Sequence, residues 1–132
     1  MVIVRMIAIL TPKGDPTKRL PLHHWDRRLG EVLCDGGDPS QEWRGPPTFS
    51  ERRLTQLIAA RGTQRAALLV RAVRALARTR PTDAGVNVAD LAWAVLKDDD
   101  AALLAAPYYR RLDRAEWIAN QTGNQSQGAT DA

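Results

Sequence analysis

The chain has 132 residues, a size that accommodates one hydrophobic core and no second. Apolar residues make up 44%, enough to exclude wholesale disorder, and no apolar run approaches the ~20 residues a membrane helix needs. The formal charge is +4, and the one cysteine, Cys34, excludes an internal disulfide framework and any multi-cysteine zinc site. The expected location is therefore a reducing cytoplasm.

Met1 to Leu10 is apolar but broken by Arg5, and it lacks the basic start and small-residue cleavage site of a signal peptide. It reads as a short buried strand or helix, which periodicity cannot separate at this length. Such a segment either packs on the rest of the domain or docks on a neighbouring subunit. Thr11 to Pro21 holds three prolines and Gly14 and is a loop. A short helix follows over about His23–Leu33, with Trp25, Leu29 and Val32/Leu33 on one side. Asp35-Gly36-Gly37-Asp38-Pro39 ends it, and Arg44-Gly45-Pro46-Pro47 is a second linker.

From Thr48 onward the pattern is helical. Thr48 and Glu51 have capping-box spacing, Leu54, Leu57 and Ile58 share one face, and Gly62 is a natural stop. Thr63 then opens a helix with Ala66, Leu69, Val73, Leu76 and Ala77 on one arc. Arg71, Arg74 and Arg78 lie within ~60° of each other on the opposite arc. Asn87 caps a helix on which Val88, Leu91, Ala92, Val95 and Leu96 follow helical spacing, and Asp90 suits its N-terminal dipole. Asp98-Asp99-Asp100 caps a helix through Ala101–Ala106, which Pro107 kinks or succeeds with another. Tyr108, Leu112, Ala115 and Ile118 continue an apolar stripe, with one of Tyr108 and Tyr109 in the core and one at the surface. Residues 121–132 read as a flexible tail.

The expected fold is all-α: a compact bundle of four to five helices with an irregular N-terminal third. It forms a single domain over 1–120, with 1–47 an irregular or interface segment and 48–120 the helical core.

Charge is segregated along this chain. Of 19 basic residues 16 are arginine, whose planar fork suits bidentate phosphate contact and stacking on bases. A GC-rich genome would also inflate arginine together with the 20 alanines, so placement decides. Arg44 to Arg80 holds nine arginines against Glu51 alone, a segment charge of +8, whereas Pro81 to Ala106 is acidic. A segregated basic stretch is the electrostatic footprint of a polyanion site.

Catalytic constellations do not assemble. His23 and His24 are adjacent and diverge on a helix, so with Asp26 or Cys34 they lack metal-ligand spacing. Cys34 has no neighbouring base to activate it, and the triple aspartate reads as a cap, not a cation site. No metal, cofactor or enzymatic activity is expected.

Three stretches read together resemble a known family. Ser50-Glu51-Arg52-Arg53-Leu54 with Leu57-Ile58, then Leu69-Val70, Val73 and Leu76, then Val86 to Leu91 followed by Tyr108-Tyr109-Arg110, resemble the small subunit of CRISPR surveillance complexes. The likeness covers about residues 49–112 and is closest to the type I-E small subunit, with a type IV counterpart as the other class. It implies a non-catalytic helical subunit in several copies, bracing a guide-RNA filament of backbone subunits. Such a subunit offers a basic track to guide RNA or single-stranded DNA, with little sequence readout.

The residues expected to face nucleic acid are Arg52, Arg53, Arg71, Arg74, Arg78, Arg110 and Arg111. Arg110, Arg111 and Arg114 have a second reading, as partners of Asp98–Asp100. Trp25, Trp43, Trp93 and Trp117 could stack on bases, but core or protein-interface roles are favoured, for Trp93 above all. Two alternatives stay open. One is a helix-turn-helix regulator that turns at Gly62 and reads DNA from Arg65 onward, although its helix offers mostly alanine. The other is a protein-interaction module with incidental basicity.

Overall fold

The computed structural model describes residues 2–11, 22–79 and 85–130, with side chains as far as 123. Six helices follow in order: α1 (Val2–Leu10), α2 (Leu29–Asp35), α3 (Glu51–Ala59), α4 (Gly62–Thr79), α5 (Val88–Leu96) and α6 (Ala102–Thr130). The fold is all-α. Among the described residues there is no strand, only one isolated parallel bridge between His23 and Val86. No described helix is long and apolar enough to cross a membrane.

The sixth helix arises at the N-terminus, where the sequence leaves strand and helix open. Met6 and Leu10, four apart, are buried, and Val2, Ile3, Ile7 and Ile9 pack partly against the same core. One helical face thus buries the segment on α4 and α5. The expected helix over about His23–Leu33 starts instead at Leu29. Residues before it are held in an irregular strap: the His24 N–H donates to the Val86 carbonyl at 3.0 Å, the Val86 N–H to Leu22 at 2.9 Å and the Asn87 N–H to Arg27 at 2.7 Å. Trp25, expected on that helix's apolar side, is left 70% exposed.

Two caps differ from the expected ones. The α3 cap is Ser50, whose Oγ accepts from the Arg53 N–H at 3.3 Å, not Thr48, whose side chain lies against Gly36. The α4 cap comes from another element: Asp98 Oδ2 accepts from the Gly62 N–H at 2.8 Å, placing negative charge at the positive end of α4. Asn87 caps α5 through the Ala89 N–H at 3.0 Å, and Asp100 caps α6 through the Leu103 N–H at 3.3 Å. α6 then runs unbroken through Pro107. The tail expected from Gln121 carries helical backbone to Thr130, but Ile118 is the last side chain of α6 with partial burial among those described.

Leu29, Leu33, Leu54, Leu57, Leu69, Val73, Leu91, Leu104 and Tyr108 form one continuous core. Tyr108 is fully buried and its hydroxyl donates to the Phe49 carbonyl at 2.6 Å, while Tyr109 stays at the surface. α2 and α6 pack most extensively. Their approach is set by Gly30, where a Cβ would collide with the Leu104 carbonyl oxygen.

Beside that contact sits a buried charge cluster. Asp35, with no side-chain exposure, accepts from Arg27 Nη2 at 2.8 Å to both oxygens, from Arg111 Nε at 2.8 Å and from the Gly37 N–H at 3.0 Å. Arg27 also reaches Glu31 at 3.3 Å, so two guanidiniums meet two carboxylates. Arg111 extends to the Ser40 carbonyl at 2.7 Å and lies 5.1 Å from the Trp43 ring. A second carboxylate, Asp90, accepts from Arg28 Nε at 2.8 Å and from the Leu29 N–H at 3.0 Å. Its charge therefore serves the start of α2 as well as its own helix.

Removing one member of a buried ion cluster leaves uncompensated charge, so Asp35→Ala is expected to destabilise the fold by ~3–5 kcal/mol in urea unfolding. A pH dependence follows from Cys34, whose thiol burial pushes up from 9.0 to about 12, and from Tyr108, also raised by burial. Both are held neutral in the fold. The stabilisation is complete below pH 9.0 and is lost as pH rises, because only the unfolded chain ionises freely. Each group is expected to lower stability by about 1.4 kcal/mol per pH unit above its ordinary value, 9.0 for Cys34 and 10.0 for Tyr108, and Cys34→Ala to remove the cysteine share.

Candidate nucleic-acid interface

α4 presents two opposite sides. Leu69, Val70, Ala72, Val73 and Leu76 are buried, whereas Gln64, Ala67, Arg71, Arg74 and Arg78 form one exposed ridge. Helical spacing produces this division, since positions 64, 67, 71, 74 and 78 recur every three or four residues. Among the described residues, the Arg71, Arg74 and Arg78 side chains have neither an ion pair nor a hydrogen bond. Their guanidinium charge is left to solvent.

A groove flanks the ridge on each side. Between α3 and α4 lies one of about 270 Å³, with Phe49, Leu57, Leu68 and Ala75 for apolar walls and Arg53, Gln56 and Arg71 for polar ones. It adjoins a small recess that reaches Leu33 and Leu76. Between α1 and α4 lies a more open groove of about 400 Å³, with Val2, Ala66, Ala67 and Val70 below and Arg5, Arg71 and Arg74 above. Arg71 belongs to both. Among the described residues no acidic side chain lines either groove.

The structure therefore brings together Arg53, Arg71 and Arg74 around the two grooves, with Arg78 one turn farther along the ridge. Arg52 is exposed on α3 but lines neither groove. Arg110 is exposed on α6 and donates to the Ala106 carbonyl at 3.4 Å. No Cα of α6 lies within 8 Å of one in α4, so Arg110 stands apart from the ridge. Arg111 is a correction. It is 2% exposed and tied to Asp35, a fate decided by its position one helical turn from buried Tyr108 and Ala115. Nor does it pair with Asp98–Asp100, of which Asp98 caps α4 and Asp100 caps α6.

Arg5, in sequence no more than a break in an apolar run, lines the groove beside α1. Met6 and Leu10 sharing one face would have placed Arg5 off it, once the segment is taken as a helix. Arg65 is the opposite surprise. It is fully buried and donates to the Leu57 carbonyl at 2.8 Å, Ile58 at 3.4 Å and Ala94 at 3.1 Å. Its guanidinium thus caps the C-terminal ends of α3 and α5, where helix dipoles are negative. Burial and the nearby Arg61 lower its pKa, and Asp98 partly offsets them.

His23 Nδ1 accepts from the Val88 N–H at 3.0 Å, and its ring meets Trp25 edge-on. Among the described residues no group of three His, Cys, Asp or Glu side chains could hold a metal ion. Trp25, Trp93 and Trp117 are exposed and Trp43 half-buried under Arg111. None lines either groove. Comparison with protein-family models, curated proteins and solved structures finds no match to this chain.

The two kinds of arginine separate by stability. Arg65→Ala is expected to cost on the order of 3 kcal/mol, because it takes a guanidinium donor from the buried carbonyls of Leu57 and Ala94 and leaves a void. Arg71→Ala and Arg74→Ala, at exposed sites, are expected to stay within about 0.5 kcal/mol of the parent in the same urea titration.

Proposed function

We propose that this chain is a non-catalytic nucleic-acid-binding subunit that holds a phosphate backbone along the α4 ridge. The observation that carries the reading is the sorting of arginines. Arg27, Arg28, Arg65 and Arg111 are engaged by carboxylates or carbonyls of the fold, while Arg53, Arg71 and Arg74 stand exposed at grooves with no acid among their described lining residues, and Arg78 stands exposed one turn along the ridge. Counterion release from a polyanion would reward such a surface with sequence-independent affinity.

The resemblance over residues 49–112 supplies the setting: the small subunit of a CRISPR ribonucleoprotein effector complex. In that role the chain braces the guide-RNA filament against backbone subunits and further copies of itself, and meets guide RNA or a target or displaced strand. Exposed Val4, Trp25, Trp93, Leu96 and Trp117 are the apolar side chains available for neighbouring subunits.

A helix-turn-helix regulator is the second reading, favoured by the short connection from Ala59 to Gly62 and by exposed Thr63 and Gln64 at the start of α4. It loses Arg65 as a base reader, since that side chain is engaged by helix carbonyls.

Fluorescence anisotropy with labelled single strands tests the proposal. The triple substitution Arg71→Glu, Arg74→Glu, Arg78→Glu is expected to weaken binding at least tenfold. For the parent, log affinity is expected to fall against log salt with a slope near 0.7 per phosphate engaged. Unchanged affinity in the triple variant would remove the ridge as the contact surface. Strong preference for one duplex sequence would favour the regulator.

A further inference from the structure

We infer that the groove between α3 and α4 receives a single unpaired nucleobase, with the phosphates flanking it held by Arg53 and Arg71. The inference rests on the nucleic-acid reading of the α4 ridge and adds to it a strand requirement.

The size of the groove limits its occupant. About 270 Å³ is an order of magnitude above the ~30 Å³ of a water molecule and below the ~300–1,000 Å³ of sites that enclose drug-sized ligands. One planar ring system fits that range. The chemistry of the lining is equally restrictive. Phe49, Leu57, Leu68 and Ala75 give apolar walls suited to the faces of a ring, and Gln56 gives an amide able to donate to and accept from a base edge. Arg53 on α3 and Arg71 on α4 come from the two helices that flank the groove, with no acid among its described lining residues, and so can hold two successive phosphates around an inserted base.

The groove is also preorganised. Phe49, the chain's single phenylalanine, is fixed through its backbone. Its N–H donates to the Leu33 carbonyl at 3.0 Å and its carbonyl accepts from the Tyr108 hydroxyl at 2.6 Å. With its backbone so placed and its side chain packed partly against the core, the aromatic wall needs little ordering when a base enters. The wider groove beside α1 lacks both an aromatic wall and an amide, so it suits the backbone alone. Bases in a duplex are stacked and paired and present no free face. The groove consequently selects single strands, and does so with little preference among bases, since every base has a π-face.

The test measures binding of the full chain, at low salt, to three labelled ligands of equal length: an oligothymidylate, the same backbone with abasic spacers, and a duplex. The oligothymidylate is expected to bind on the order of tenfold more tightly than the abasic strand, and more tightly than the duplex. Ala75→Phe, which fills the groove, is expected to abolish the difference while leaving abasic affinity unchanged. The pair Arg71→Glu, Arg74→Glu is expected to weaken all three ligands. An oligothymidylate carrying a photoreactive 5-iodouracil is expected to crosslink to the peptide bearing Phe49 in the parent chain, a readout that stands whether or not Ala75→Phe folds.

Equal binding of oligothymidylate and abasic strands, with the charge-reversed pair still weakening both, would overturn the base pocket and leave the ridge intact. Equal or tighter duplex binding, or crosslinks confined to α1 or α6, would overturn it too. No binding to any of the three would remove the ridge reading along with it.

Discussion

Placing a carboxylate where no water reaches it is unfavourable unless its charge and lone pairs are matched, and the Asp35 site shows how this fold meets that requirement. Three separate parts of the chain converge on one side chain: Arg27 from the strap before α2, the Gly37 N–H from the turn after it, and Arg111 from the middle of α6. Because Arg111 continues to the Ser40 carbonyl and lies against Trp43, the irregular stretch between α2 and α3 is ordered by the same charge. A solely apolar contact between α2 and α6 would fix their distance but leave this loop without an anchor. The ionic cluster is weak as a source of net stability and strong as a specifier of arrangement.

A second theme is the double use of one residue type. Arginine serves here as a structural cation whose donors satisfy carboxylates and helix-end carbonyls, and as a surface cation with nothing to satisfy. Arg65 and Arg71 stand on the same helix, six residues apart, and illustrate the two uses. At 100° per residue they point about 120° apart, so one meets the carbonyls of Leu57 and Ala94 and the other meets solvent. A count of basic residues along a segment cannot distinguish these fates, and the +8 of Arg44–Arg80 overstates the charge available to a ligand by including Arg65.

Much of the fold is legible in the sequence, for reasons that can be named. The α4 and α5 faces follow from apolar spacing, and Asn87 and Asp100 are local caps whose partners lie two and three residues away. The ridge of Arg71, Arg74 and Arg78 follows from the same periodicity. What is not legible depends on distant partners. Arg111 lies one helical turn from Tyr108 and Ala115 on the buried side of α6, but the partner that balances its charge there, Asp35, comes 76 residues earlier. Asp98 caps a helix that begins 36 residues before it. The α3–α4 groove is a property of two helices and a loop, and Phe49 enters it through hydrogen bonds to Leu33 and Tyr108 that no local pattern announces.

Gly30 has a mechanical consequence. With no side chain between them, α2 and the Leu104–Tyr108 turn of α6 are seated at one register, and sliding by a turn would drive a bulky group into the gap. The helix bearing the ridge is not clamped in this way, since it reaches α6 only by way of α2, α3 and α5. A pull applied along the ridge would therefore be shared among three intermediaries before arriving at a rigid pair. A displacement of α4 can thus be absorbed where it packs on α1, α2, α3 and α5 before it disturbs the seat at Gly30.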